Sequence, residues 1–210
     1  MEVREFFIEV FIKNILEMNR ILLLISLFVY SCNSYSQNME DFIIGLKNSK
    51  VSTYEQAEKG ETYLYNSKNK SKQIVYMMYQ FDILFFIKEE EGPLSRIEVN
   101  YEAGLDTSDP ELRFLKSQVN FQIGQYDFNG DGIDELIIAI QDPKDMDITI
   151  NVFKLVKDNF VNIGSFTGNS IDDYPKAFIN KKSIKIDRHL RGFYFLWEYV
   201  NGKFVDKSEV

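Results

Sequence analysis

Between Tyr126 and Leu136 the chain reads Asp127-Phe128-Asn129-Gly130-Asp131-Gly132-Ile133-Asp134-Glu135. Oxygen-bearing side chains stand at the first, third, fifth and ninth places of this stretch: Asp127, Asn129, Asp131 and Glu135. Calcium takes roughly six to eight hard oxygen ligands in flexible geometry. Alternate side chains of a curled loop can aim at one centre, and Gly130 and Gly132 permit the positive φ that such a curl needs. The carbonyl of Ile133 is the expected backbone ligand, water completes the shell, and Asp134 is expected to point away. The stretch is not an EF-hand, which would need a bidentate Glu where this chain has Ile138. It also leads into the apolar run Leu136 to Ile140, which reads as a strand and not as a helix. The alternative without metal is an Asp- and Asn-rich turn closed by its own side chains. Any metal held here is structural, because no nucleophile or base adjoins it.

The same residues resemble a known pattern. Asp127-Phe-Asn129-Gly-Asp131-Gly132-Ile-Asp134-Glu135-Leu136-Ile137 is similar to the calcium loop of FG-GAP and VCBS repeats, which occur in propellers and in exported bacterial proteins. The resemblance implies Ca2+ held by Asp127, Asn129, Asp131, the Ile133 carbonyl and Glu135. Glu135 departs from the more usual Asp at the last place. The chain has one such loop, whereas integrin-like propellers repeat it. Small exported bacterial proteins with a single loop resemble periplasmic lysozyme inhibitors and immunity lipoproteins, which supplies a second functional expectation.

Other chemistry is sparse. His189 is the only histidine and Cys32 the only cysteine, so a His-based triad would have to be built on His189, which reads as a surface residue. No phosphate-cradling glycine loop or zinc spacing occurs. Asp142, Asp145 and Asp147 form a second acidic cluster, expected to be a solvated loop. Phe193, Tyr194, Phe195, Trp197 and Tyr199 are expected in the core. The chain is therefore expected to be non-catalytic. A glycan-acting hydrolase with paired carboxylates is the third reading.

These residues need elements to hold them. With 18 Phe and 12 Tyr the composition favours sheet. Strands are expected over Ile74 to Tyr79, Asp82 to Lys88, Ser95 to Tyr101, Leu136 to Ile140, Ile148 to Val156, Phe160 to Phe166, Ser183 to Asp187, Gly192 to Tyr199 and Lys203 to Asp206. Tight turns are expected at Lys157-Asp158-Asn159 and at Asn201-Gly202, the latter a type I′ hairpin signal. Helical spacing marks Met39 to Lys47, and Asp109-Pro110 can open a helix toward Leu115. Residues 48–72 are polar, and the Lys/Asn/Ser run Asn66 to Lys72 within them reads as a solvated loop. The segment Phe153 to Asn162 aligns with Trp197 to Asp206 at an offset of 44 residues, which suits either repeated blades or two hairpins that look alike. The expected fold class is mainly β, antiparallel hairpins with propeller-like character and one or two short helices.

The N-terminal region sets the expected location. Met18-Asn19-Arg20 followed by apolar Ile21 to Tyr30 reads as a signal peptide. Ser34-Tyr35-Ser36 offers a cleavage site before Gln37, and Val29-Tyr30-Ser31-Cys32 resembles a lipobox in which Cys32 is lipidated. Residues 1–17 carry Glu2, Glu5, Glu9 and Glu17, unsuited to a signal, and read either as sequence upstream of the true start or as an amphipathic helix. Residues 38–210 form the expected single domain, exported to the periplasm, the outer membrane or outside the cell. A net charge of −8 gives no basic footprint for nucleic acid. The expected partner is a protein or glycan, with membrane contact only through Cys32.

Overall fold

The computed structural model describes residues 40–68, 70–79, 82–88, 92–100, 119–142, 147–169, 176–187 and 193–208. The signal segment, Cys32, the helix expected from Asp109 and His189 lie outside them.

Fourteen strands and one short helix make up the described chain. They are β1 (Ile43–Ile44), β2 (Lys47–Thr53), α1 (Tyr54–Glu58), β3 (Glu61–Ser67), β4 (Lys70–Tyr79), β5 (Asp82–Lys88) and β6 (Ser95–Ile97). There follow β7 (Asn120–Tyr126), β8 (Glu135–Asp142), β9 (Asp147–Val156), β10 (Asn159–Asn169), β11 (Ala177–Asn180), β12 (Ser183–Asp187), β13 (Tyr194–Val200) and β14 (Lys203–Asp206). In sequence order β3–β6, β7–β10 and β11–β14 are three successive four-stranded antiparallel meanders. The described residues thus supply fewer than the roughly four blades of a closed propeller.

The second meander is the middle layer. Along β8, Leu136, Ile138 and Ile140 enter one core with Tyr65, Tyr76, Phe85 and Ile87 of the first meander. Ile137 and Ala139 enter the other, with Ile184, Ile186, Trp197 and Tyr199 of the third. A strand covered on both faces reads as an unbroken apolar run, which is why Leu136 to Ile140 lacks alternation.

The turns follow from local chemistry. Asn201 and Gly202 both have positive φ, +51° and +90°, as a type I′ turn requires. Lys157 has φ +58° in the β9–β10 turn. The offset of 44 residues has a structural counterpart in identical pairing. Phe153 faces Asn162 and Val156 faces Asn159, just as Trp197 faces Asp206 and Val200 faces Lys203.

Two expectations are corrected. Met39 to Lys47 is not helical over its described part. Ile43 and Ile44 pair in parallel with Ala177 and Phe178, and Gly45 at φ +106° separates β1 from β2. Long-range pairing overrides a local periodicity that is worth only tenths of a kcal/mol per residue, roughly. Nor is the Asn66 to Lys72 run a loop, because its two ends belong to β3 and β4. Tyr63, Tyr65 and Ser67 alternate inward along β3, while the polar residues that suggested a loop occupy its outer face. Helix α1 is closed by a reciprocal cap between Thr53 and Gln56. Among the described residues of the Asn66 to Lys72 run, Lys68 alone stands in a turn.

Candidate metal-binding loop

Strand β7 ends at Tyr126 and β8 begins at Glu135, adjacent antiparallel strands whose ends pair with each other. The acidic stretch is therefore one inter-strand connection. Its interior is closed by side-chain oxygens accepting from backbone amides. Asp127 accepts from the N–H of Gly130 through Oδ1 at 2.7 Å and of Gly132 through Oδ2 at 2.8 Å. Asn129 Oδ1 accepts from Asp131 N–H at 2.7 Å, and Asp131 Oδ1 from Ile133 N–H at 2.7 Å. Gly130 and Gly132 have φ +75° and +80°, the left-handed region that glycine enters without a Cβ clash.

The structure draws Asn129, Asp131 and Glu135 together. The Asn129 amide nitrogen donates to Asp131 Oδ2 at 2.9 Å and to Glu135 Oε1 at 3.3 Å. One polar nitrogen thus sits between two carboxylates. Asp127 has its oxygens turned to the loop amides. Ile133, half-buried, enters through its N–H. Among the described residues no group of three or more His, Cys, Asp or Glu side chains gathers as a metal cluster. The set that does gather mixes carboxylates with an amide.

Glu135 is 1% exposed and accepts from the Phe128 N–H at 2.9 Å. Burial pushes its carboxyl up to about 7, and the nearby Asp127 charge adds to this, while the N–H groups of Phe128 and Glu135 pull the other way. A buried carboxylate that shares one amide with a second carboxylate fits a site that takes a cation. All candidate donors are oxygens, which suits a hard ion such as Ca2+ and not a thiolate-seeking metal.

The loop is anchored on both sides. Phe128 is buried against Tyr126 and Phe204, with ring centroids 4.8 and 5.0 Å away, and Tyr199 at 6.3 Å. Asp134 turns away from the loop interior. Its carboxylate meets Lys47 Nζ at 2.6 Å and Gln125 Nε2 at 3.3 Å. Its backbone N–H donates to Ser67 Oγ at 2.5 Å, and its carbonyl accepts from the Tyr65 hydroxyl. Lys68 Nζ donates to the Asp131 carbonyl at 3.0 Å, and Lys154 Nζ lies 3.9 Å from Asp131 Oδ2.

Sequence reasoning missed three buried amides on the middle sheet. Gln122 accepts from Phe42 and Ile43 N–H at 3.0 and 2.7 Å and donates to the Ile43 carbonyl at 3.0 Å. Gln125 accepts from Asn66 N–H at 3.0 Å and donates to its carbonyl at 2.6 Å. Asn151 does the same with Asn100, at 3.0 and 3.1 Å. Each side-chain amide imitates a peptide group and pairs with the backbone of a segment that the ladder does not reach, which meets the requirement that buried polar groups be bonded. Also missed was Glu61, whose Oε2 accepts from Tyr76 at 2.6 Å and Ser52 at 3.1 Å and lies 3.0 Å from Lys50 Nζ. The only sequence signal for these is an amide or acid on the inward register of a strand.

The remaining candidates are dispersed. Asp142 and Asp147 close the β8–β9 ladder as a backbone pair, and Asp145 lies outside the described residues. Phe195, Trp197 and Tyr199 belong to the second core. Phe193, expected there, is instead 51% exposed because it precedes β13. No described helix is long and apolar enough to cross a membrane. Comparison with protein-family models, with curated proteins and with solved structures gives no match.

Proposed function

We propose that the chain is an exported, non-catalytic β module that binds Ca2+ in the Asp127–Glu135 loop and acts by contacting a protein or glycan. The observation that carries the reading is the buried carboxylate of Glu135, drawn with Asp131 onto a single amide of Asn129. Asp127, Asn129, Asp131, the Ile133 carbonyl and Glu135 would hold the ion. Its charge would offset the crowding of carboxylates and so stabilise the closed loop. A ligand bound only by the folded state adds about 2.7 kcal/mol at a hundredfold excess over Kd. Export rests on the Met18 to Tyr30 segment.

Thermal melts with calcium and with chelator test the reading. Calcium should raise Tm of the wild type by several degrees. Asp127→Ala or Asp131→Ala should remove the response, and Asp134→Ala should keep most of it, because its carboxylate faces Lys47 and Gln125. Equal melts of the wild type in both conditions would sink calcium binding.

A further inference from the structure

The two ends of the acidic connection dock on different sheets. Phe128, its second residue, packs on Tyr199 and Phe204 of the β13–β14 hairpin in the third meander. Asp134, its last, is fastened to Tyr65 and Ser67 of β3 in the first. Lys68, in the β3–β4 turn, reaches back to the Asp131 carbonyl. Between these anchors the connection has little slack. The N–H groups of Gly130, Asp131, Gly132 and Ile133 are all engaged by Asp127, Asn129 and Asp131.

We infer that Asp127–Asp134 is a latch that couples the β3–β4 turn of the first meander to the β13–β14 hairpin of the third. The physical reason is rigidity between two anchors. A short segment whose turn amides, from Gly130 to Ile133, are all taken by its own side chains moves as one piece, so freeing one end shifts the other. The two cores are otherwise separated by the middle sheet, whose opposite faces they occupy. A ligand or partner that deforms the connection is thereby felt on both outer sheets at once. The coupling is a property of the chain's own contacts and stands whether or not an ion sits in the loop.

Hydrogen exchange of the full chain, run with chelator present, tests this separately from calcium binding. Phe128→Ala should speed exchange severalfold at residues 197–206 and also at residues 61–72, across the middle sheet. Ser67→Ala should do the reverse, speeding residues 197–206 as well as its own strand. Phe128→Leu, which keeps most of the buried volume, replaces Phe128→Ala where that variant unfolds, and is expected to show a smaller effect with the same spread. Acceleration reaching the far sheet in both directions supports the latch. Acceleration confined to the loop and the mutated meander, in either direction, overturns it.

Discussion

The β7–β8 connection and its counterparts in the other two meanders occupy the same place in the topology yet differ in content. Each joins the first strand of a meander to the second. In the first meander the link is a two-residue turn opening on Lys68, and in the third it is the two-residue turn Lys181-Lys182. In the middle one it is the whole stretch Asp127–Asp134. The fold therefore reverses direction here with two residues when reversal is all that is required. The acidic residues are surplus to chain path, and their contacts show what they add: a closed cage of side-chain oxygens, an aromatic plug into the third meander and a polar fastening to the first.

Removing the difference should have the largest effect. Replacing Asp127–Asp134 by Asn-Gly gives the middle meander the kind of turn its neighbours have. The loss of Phe128 alone is expected to cost ~3–5 kcal/mol, as for other buried Phe truncations. Urea denaturation of Phe128→Ala measures that part, and the shortened variant should lose at least as much. A shortened variant as stable as wild type would mean that the connection is a passive link.

A smaller effect separates the two tight turns. Lys68 and Lys181 have φ +54° and +52°, where an L-residue other than glycine is strained by ~1–2 kcal/mol. Glycine relieves that strain but adds freedom to the unfolded chain, ~0.4–1 kcal/mol. Lys181→Gly should come out modestly stabilising. Lys68→Gly should gain less, because it also gives up the bond to the Asp131 carbonyl. Equal gains in urea titrations would show that Lys68 does nothing for the acidic connection.

The smallest effect contrasts two carboxylates. Burial opposes the charge of Glu61, but the Tyr76 hydroxyl, Lys50 and the Ser52 hydroxyl outweigh it and hold its carboxyl below the usual range. Glu135 is pushed the other way, because burial outweighs the N–H groups of Phe128 and Glu135 and the charge of Lys154. A lowered folded pKa means that the unfolded chain protonates first as pH falls below ~4.3. The contribution of Glu61 is thus complete above that pH and is lost as pH drops through the folded value. Glu61→Gln should flatten the acid side of the stability–pH curve. The step should be small, since the group is partly exposed and screened by solvent. An unchanged acid limb would assign the network no net weight.

What sequence reveals depends on how local the cause is. The β9–β10 and β13–β14 hairpins were legible because alternation and the Asn201-Gly202 pair act within a few residues. The oxygen spacing from Asp127 to Glu135 was legible for the same reason. Strands β2 and β3 were hidden because polar residues on their outer faces resemble a loop, and the tyrosines of β3 act against residues far along the chain, among them Gln125 and Phe160. Met39 to Lys47 was misread because its strand partner, β11, lies far along the chain. Gln122, Gln125 and Asn151 carried only the faint mark of an amide on the inward register of a strand. Their backbone mimicry exists only once strands distant in sequence are side by side.

The parallel pairing of Ile43 and Ile44 with Ala177 and Phe178 has a consequence for time. The first described strand waits for a partner that is made only near the end of synthesis, so this contact closes one of the longest loops in the chain. Closing loops between distant residues slows folding, because entropy is lost before the contact rewards it. The β7–β10 meander draws on neighbours in sequence and can form early. Residues 42–46 must then settle last, with the Gln122 amide already in place to receive Phe42 and Ile43. Refolding should therefore show a slow final phase confined to this strap, during which the edge of β11 stands open to strands from other chains.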